Sequence, residues 1–199
     1  RGDRVAYKGD NSVEWVSWNI ACNSLGAVWV PMYANQNTDY CNHVVNDSGA
    51  ALCITDDIND NFLITKTMAN TIVETPHVSS SIDFVDNDIA TLIYTSGTTG
   101  SPKGVMLSNE NILSNIDTIH SRFHDMQATL SLNILPWAHV YSQTCELYYN
   151  LLNNNRIAIA SSRENFIKEC AEIQPESLYI VSRVLEMVKS KIDMLDISY

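Results

Sequence analysis

The sequence predicts an α/β fold, a layered αβα arrangement around a mostly parallel sheet. Three observations carry that expectation. Short apolar runs alternate with stretches whose apolar residues recur at helical spacing. Cap and turn residues punctuate most of the switches between them. One passage, from Ile89 to Ile112, runs strand, loop and helix start, with glycines and hydroxyls concentrated in its loop.

The elements follow in order. Asn11-Ser12-Val13-Glu14 has the form of a capping box, with Asn11 as cap and Glu14 reaching back. Val13, Val16, Ile20 and Ala21 then mark the inner side of a helix that Gly26 is placed to end. Ala27 to Met32 is expected to be a strand. Thr38-Asp39 opens a second helix carrying Cys41, Val44 and Val45. Gly49 closes it, and Ala51 to Ile54 forms the next strand. Residues 56–88 are rich in Asp, Asn, Ser and Thr, with little periodicity. So long a structureless loop is unusual inside a compact domain; an excursion with a short helix and a join between separate pieces both stay open.

Ile89 to Tyr94 predicts a buried strand, and Ser108-Asn109-Glu110-Asn111-Ile112 a capped helix start. Ile112, Ile116, Ile119 and Phe123 share one helical face. Leu130 to Leu135 is the next strand. A helix with Leu147 and Leu151 inward follows, then a strand from Arg156 to Ala160. Phe166, Ile167, Cys170 and Ile173 mark another helix. Ser177 to Val181 is expected as a strand, and Arg183 to Ile192 as a helix with Val184, Val188 and Ile192 inward. No internal sequence repeat accompanies this rhythm.

Composition narrows the functional classes. The 199 residues can bury one substantial core. The net charge of −11 disfavours a general nucleic-acid or anionic-membrane surface. Cys22, Cys41, Cys53, Cys145 and Cys170 are dispersed, odd in number and form no Cys-x-x-Cys pair, which fits reduced thiols in an intracellular protein. The longest apolar stretch, near Leu25 to Met32, is far short of the ~20 residues that cross a bilayer. His43, His77, His120 and His124 share no metal-ligand spacing, so no metal ligands are assigned.

The segment Thr95-Ser96-Gly97-Thr98-Thr99-Gly100-Ser101-Pro102-Lys103-Gly104 carries the chemistry. Gly97, Gly100 and Gly104 permit backbone angles that aim successive N–H groups at an anion. Thr95, Ser96, Thr98 and Thr99 add hydroxyl donors, and Lys103 brings a point charge to the outer phosphates of a polyphosphate. A Walker loop ends in Gly-Lys-Ser/Thr, whereas here Lys103 lies between Pro102 and Gly104. The plain alternative is a surface turn rich in serine, threonine and glycine.

That order of residues closely resembles the phosphate loop of the adenylate-forming (AMP-binding) superfamily, which includes acyl-CoA synthetases, luciferases and peptide-synthetase adenylation domains. Further matches point to the long-chain fatty acid–CoA ligase branch. They are Leu25-Gly26-Ala27-Val28-Trp29-Val30-Pro31-Met32-Tyr33, Asp47-Ser48-Gly49-Ala50, Leu135-Pro136 with His139-Val140-Tyr141, and Glu146-Leu147-Tyr148. Val181-Ser182-Arg183-Val184 resembles the family's Val-Pro-Arg-Val with Ser182 in place of proline.

The resemblance implies a two-step reaction in an intracellular enzyme, cytoplasmic or peripheral on a membrane. A fatty-acid carboxylate attacks the α-phosphate of ATP, and the thiol of coenzyme A then displaces AMP from the acyl-adenylate. Thr95, Ser96, Gly97, Thr98, Thr99 and Gly100 would hold the β- and γ-phosphates, Lys103 would offset charge on departing pyrophosphate, and Mg²⁺ would bridge phosphate oxygens. His139 and Tyr141 match a motif beside the acyl carbonyl and the nucleotide. Read from its residues alone, His139 is a core histidine at a strand end, satisfied by a backbone partner; the motif around it favours the ligand-side role instead. Trp137 could gate an acyl tunnel or simply pack, and Glu146 reads as structural.

The family's later segments, Tyr-Gly-x-Thr-Glu and Thr-Gly-Asp, do not occur, nor do the hinge and the C-terminal domain. Residues 1–199 are therefore expected to form part of a larger N-terminal adenylation domain, inactive alone. A fatty acyl-AMP ligase, a peptide-synthetase domain, a non-catalytic nucleotide-binding relic and an interaction module remain open. Chain-length preference and oligomeric state do not follow from the sequence.

Overall fold

The computed structural model describes residues 1–55, 64–65, 87–95, 100–123 and 129–194. They divide into two compact units, Arg1–Asn115 with Pro136–Val140, and Ile116–Leu135 with the residues from Tyr141 onward.

The first unit is built on a six-stranded sheet. Its strands are β1 (Arg4–Gly9), β2 (Val28–Tyr33), β3 (Leu52–Thr55), β4 (Ile64–Thr65), β5 (Ile89–Thr95) and β6 (Lys103–Ser108), in the order β4-β3-β1-β2-β5-β6. All ladders are parallel except β5–β6. Helix α1 (Val13–Ser24) connects β1 to β2, and α2 (Thr38–Ser48) connects β2 to β3. These are the βαβ crossovers that the alternating pattern predicts.

Helix α1 begins one residue later than its sequence suggests. Ser12, not Asn11, is the cap, its Oγ accepting from the Trp15 N–H at 3.0 Å. The expected inner face also differs. Val13 and Ile20 are exposed, while Trp15, Asn19 and Cys22 are buried. The helix is apolar on more than one side, and of its two tryptophans Trp15 is buried while Trp18 is only half-buried. Trp15 packs edge-on to Trp29 at 5.1 Å and against Trp137 at 5.7 Å, with Tyr7 completing the cluster.

Helix α2 follows its sequence closely. Asn37 Oδ1 caps it through the Tyr40 N–H at 2.8 Å, and Gly49 ends it in the left-handed conformation. Cys41 and Val44 enter a core with Ala6, Val30, Met32, Cys53 and Tyr94.

Strand β6 was not expected. The sequence places a helix start directly after the glycine-rich loop, whereas the chain first returns antiparallel beside β5. It forms a sheet edge with Val105 and Met106 exposed, so it lacks the half-buried alternation that marks a strand. Helix α3 (Asn109–Arg122) then starts as expected, in a reciprocal cap between Ser108 and Asn111. Asn111 N–H donates to Ser108 Oγ at 3.2 Å, and Ser108 N–H to Asn111 Oδ1 at 3.1 Å. Ile112 and Ile116 are buried on it, but Phe123 lies beyond its end and is exposed.

In the second unit, β7 (Leu130–Asn133) and β8 (Arg156–Ile159) pair in parallel. The strand expected from Ser177 to Val181 is reduced to one bridge, Ser131 to Ser177. Between β7 and β8 lies a π-helical segment, Ser142–Tyr148, running into α4 (Tyr149–Leu152). Its wider i→i+5 turn moves Leu151 off the face of Leu147: Leu147 is fully buried and Leu151 exposed. Helices α5 (Phe166–Ile173) and α6 (Ser182–Met194) follow, with Phe166 buried. Asn133 Nδ2 donates to the fully buried Glu146 at 2.6 Å, which gives Glu146 the structural role expected of it.

Candidate functional site

The two ends of the glycine-rich loop meet across a β-ladder. Thr95, the last residue of β5, is the register partner of Lys103, the first of β6. Directly opposed residues project to the same face of a sheet. The exposed Thr95 hydroxyl and the exposed Lys103 ammonium thus share a side at the mouth of the loop.

Tyr94 and Gly104, the adjacent pair, point to the other face, toward α2. Gly104 does not occupy the left-handed region, so its expected backbone role gives way to a steric one. A Cβ there would come within 3.0 Å of Leu92 Cδ1 and 3.1 Å of the Tyr94 ring. Gly100 does adopt the conformation expected of it, φ +98°, and none of the described residues lies near the position of a Cβ. Ser96, Gly97, Thr98 and Thr99 lie outside the described residues.

Helix α2 grips both stems of this hairpin. Tyr94 is buried, and its hydroxyl donates to Asp47 Oδ2 at 2.7 Å. Burial first, then the Asp47 hydrogen bond and charge, push the Tyr94 phenol well above its ordinary range. The Tyr40 hydroxyl donates to the Tyr94 carbonyl at 3.5 Å. His43 Nε2 lies 2.9 Å from the Pro102 carbonyl, and its ring stands edge-on to Tyr94 at 6.3 Å. In the sequence alone, His43 stands out only as one of four histidines without metal-ligand spacing. Its three- and four-residue spacing from Tyr40 and Asp47 is the signal that it shares their helical face.

The Pro136-to-Val140 turn also belongs to the first unit. Asn11, relieved of capping α1, accepts the Trp137 N–H at 2.8 Å. Trp137 is buried in the aromatic cluster, which identifies it as a packing residue. His139 N–H closes the turn on the Pro136 carbonyl at 3.1 Å, and the His139 side chain is exposed. Tyr141 falls in the second unit, immediately before the π-helical segment. Burial, followed by Cys145 and Glu146, raises its phenol above the ordinary range.

Among the described residues, no three or more His, Cys, Asp and Glu side chains are grouped to hold a metal ion. No helix among them is long and apolar enough to cross a membrane. None of the five cysteines, all of them among the described residues, forms a disulfide.

Comparison with known proteins bears on this site. Residues 1–197 match the model of the AMP-binding enzyme family. Long chain acyl-CoA synthetase 4 of Arabidopsis thaliana is 28% identical over 92% of this chain and 33% of its own length. A feruloyl-CoA synthase from Amycolatopsis is 32% identical over 57% of the chain and 25% of its own length. The chain thus spans at most about a third of these curated relatives. The solved structure of o-succinylbenzoate CoA synthetase from Bacillus subtilis, in complex with an acyl-adenylate intermediate, superposes with a TM-score of 0.82. It is 21% identical and covers 96% of this chain and 52% of that one, a likeness that shows the fold.

Proposed function

The chain belongs to the AMP-binding enzyme family, and from that premise we propose that it forms the phosphate-loop portion of a long-chain fatty acid–CoA ligase. The observation that carries this reading is the Thr95–Lys103 pair, which sets a hydroxyl and an ammonium on one face at the mouth of a glycine-rich loop. The long-chain acyl-CoA synthetase match along 92% of the chain supports the choice of substrate. Because that match spans a third of the relative, the activity is assigned to the full-length enzyme.

The reaction has two halves. A fatty-acid carboxylate oxygen attacks the α-phosphorus of ATP, the α–β bridging bond breaks, and pyrophosphate leaves. The thiol of coenzyme A, losing its proton, then attacks the acyl carbonyl and expels AMP. Thr95, Ser96, Gly97, Thr98, Thr99 and Gly100 are proposed to hold the β- and γ-phosphates through N–H and hydroxyl donors. Lys103 would stabilise the charge that develops on the leaving group, the kind of preorganised electrostatic help that dominates phosphoryl and acyl transfer. His139 and Tyr141 are assigned to the acyl carbonyl and the nucleotide, and the exposure of His139 supports a ligand-facing role. Magnesium, when bound, would neutralise phosphate charge and be carried on the nucleotide's oxygens and water.

An aromatic acid is the second reading, favoured by the feruloyl-CoA synthase match. The test is thioester formation by the full-length protein with ATP, Mg²⁺ and coenzyme A over a panel of fatty and aryl acids. Preference for long acyl chains supports the proposal. Aryl thioesters alone would replace it with the second reading, and no thioester with any acid would remove both.

A further inference from the structure

Outside the residues assigned to the reaction, α2 contacts the hairpin beside both of its ends. Tyr40, His43 and Asp47 present three consecutive polar groups along one helical face. Each touches a residue next to the loop's ends: Tyr40 and Asp47 hold Tyr94, and His43 holds Pro102. Tyr94 directly precedes Thr95, and Pro102 directly precedes Lys103.

We propose that His43 is a positioning residue for the ATP-dependent half of the reaction, fixing the Pro102 carbonyl so that Lys103 is presented at one place beside Thr95. The inference rests on the ligase reading above. A carbonyl oxygen can only accept, so the proton of this hydrogen bond is on His43 Nε2. Proline has no N–H of its own to donate, and its carbonyl is the last backbone acceptor before β6 begins. Helix α2 is a rigid support, because Cys41 and Val44 are buried in the sheet core beneath it. The imidazole is held edge-on by Tyr94, so one ring meets both stems at once. Displacing a lysine by about 1 Å from a developing charge is enough to cost on the order of 10²-fold in rate.

The consequence is selective. Pyrophosphate leaves in the first half-reaction and takes no part in the second. Removing His43 should therefore slow acyl-adenylate formation about 10- to 100-fold while leaving thioester formation from supplied acyl-adenylate and coenzyme A near its normal rate. The experiment measures both half-reactions of the full-length enzyme in wild type, His43→Ala, His43→Gln and Lys103→Ala, and in the His43→Ala/Lys103→Ala double variant. The Gln variant keeps an N–H donor and should recover most of the first half-reaction. In the Lys103→Ala background the loss of His43 should add little, because it acts through that lysine.

Equal slowing of both halves would overturn the inference in favour of a purely structural role. An unaffected first half in His43→Ala, or full additivity with Lys103→Ala, would overturn it as well. A wild-type enzyme that makes no acyl-adenylate would instead remove the ligase reading, and this inference with it.

Discussion

Asn11 and Trp137, 126 residues apart, are joined by a hydrogen bond from the Trp137 N–H to Asn11 Oδ1 at 2.8 Å. It ties the turn that presents His139 to the segment just before α1. Such a bond contributes roughly 1 kcal/mol net. Asn11→Ala should lower the stability of the chain by about that amount in urea unfolding. An unchanged midpoint would show that the turn is held by Trp137 packing alone.

A Cβ at Gly104 would meet Leu92 at 3.0 Å and Tyr94 at 3.1 Å, so those side chains would have to give by a few tenths of an ångström. Gly104→Ala should destabilise by about 1–3 kcal/mol through overpacking. Truncating the nearer neighbour relieves the clash, so Gly104→Ala combined with Leu92→Ala should cost less than the sum of the two single changes. Simple additivity would mean that the hairpin shifts to make room.

Gln143, in the π-helical segment, is completely buried, and among the described residues neither its amide nitrogen nor its amide oxygen meets a hydrogen-bond partner. Burying such atoms unpaired costs about 1–3 kcal/mol. Gln143→Met keeps the length and removes the polar atoms, so it should raise the thermal midpoint. A fall would show that the amide is satisfied in solution.

Burial pushes the Cys22 thiol from its ordinary 9.0 up to about 12. The folded chain therefore keeps a proton that the unfolded chain releases. Below pH 9 this contribution is fully present; above it the unfolded state binds fewer protons, and stability falls until about pH 12. Replacing Cys22 with alanine should flatten the decline of stability across that window, whatever it does to the absolute level. An identical slope in both proteins would place the thiol in contact with water.

Much of this architecture was legible in the sequence because local and tertiary signals agree. Gly49 and the Ser108–Asn111 pair mark helix ends where the backbone needs them. Three features were not. The inner face of α1 is ambiguous because that helix is apolar on several sides, and tertiary packing against Tyr7, Trp29 and Trp137 takes Trp15 inward. Strand β6 was hidden by its place at the sheet edge, although Val105-Met106-Leu107 after a glycine-rich turn is a hairpin signal. The wide turn of Ser142–Tyr148 cannot be read from a 3.6-residue period. At the site, the loop announced itself, whereas His43 emerges only when α2 is laid against the hairpin.

Acid-dependent exchange of labelled pyrophosphate into ATP by the full-length enzyme, wild type against Lys103→Ala, tests the central claim most directly. Exchange with long-chain fatty acids that falls by roughly 10²–10³ in the variant is the expected result. Exchange that needs no acid, or that survives the loss of Lys103 undiminished, would contradict the account.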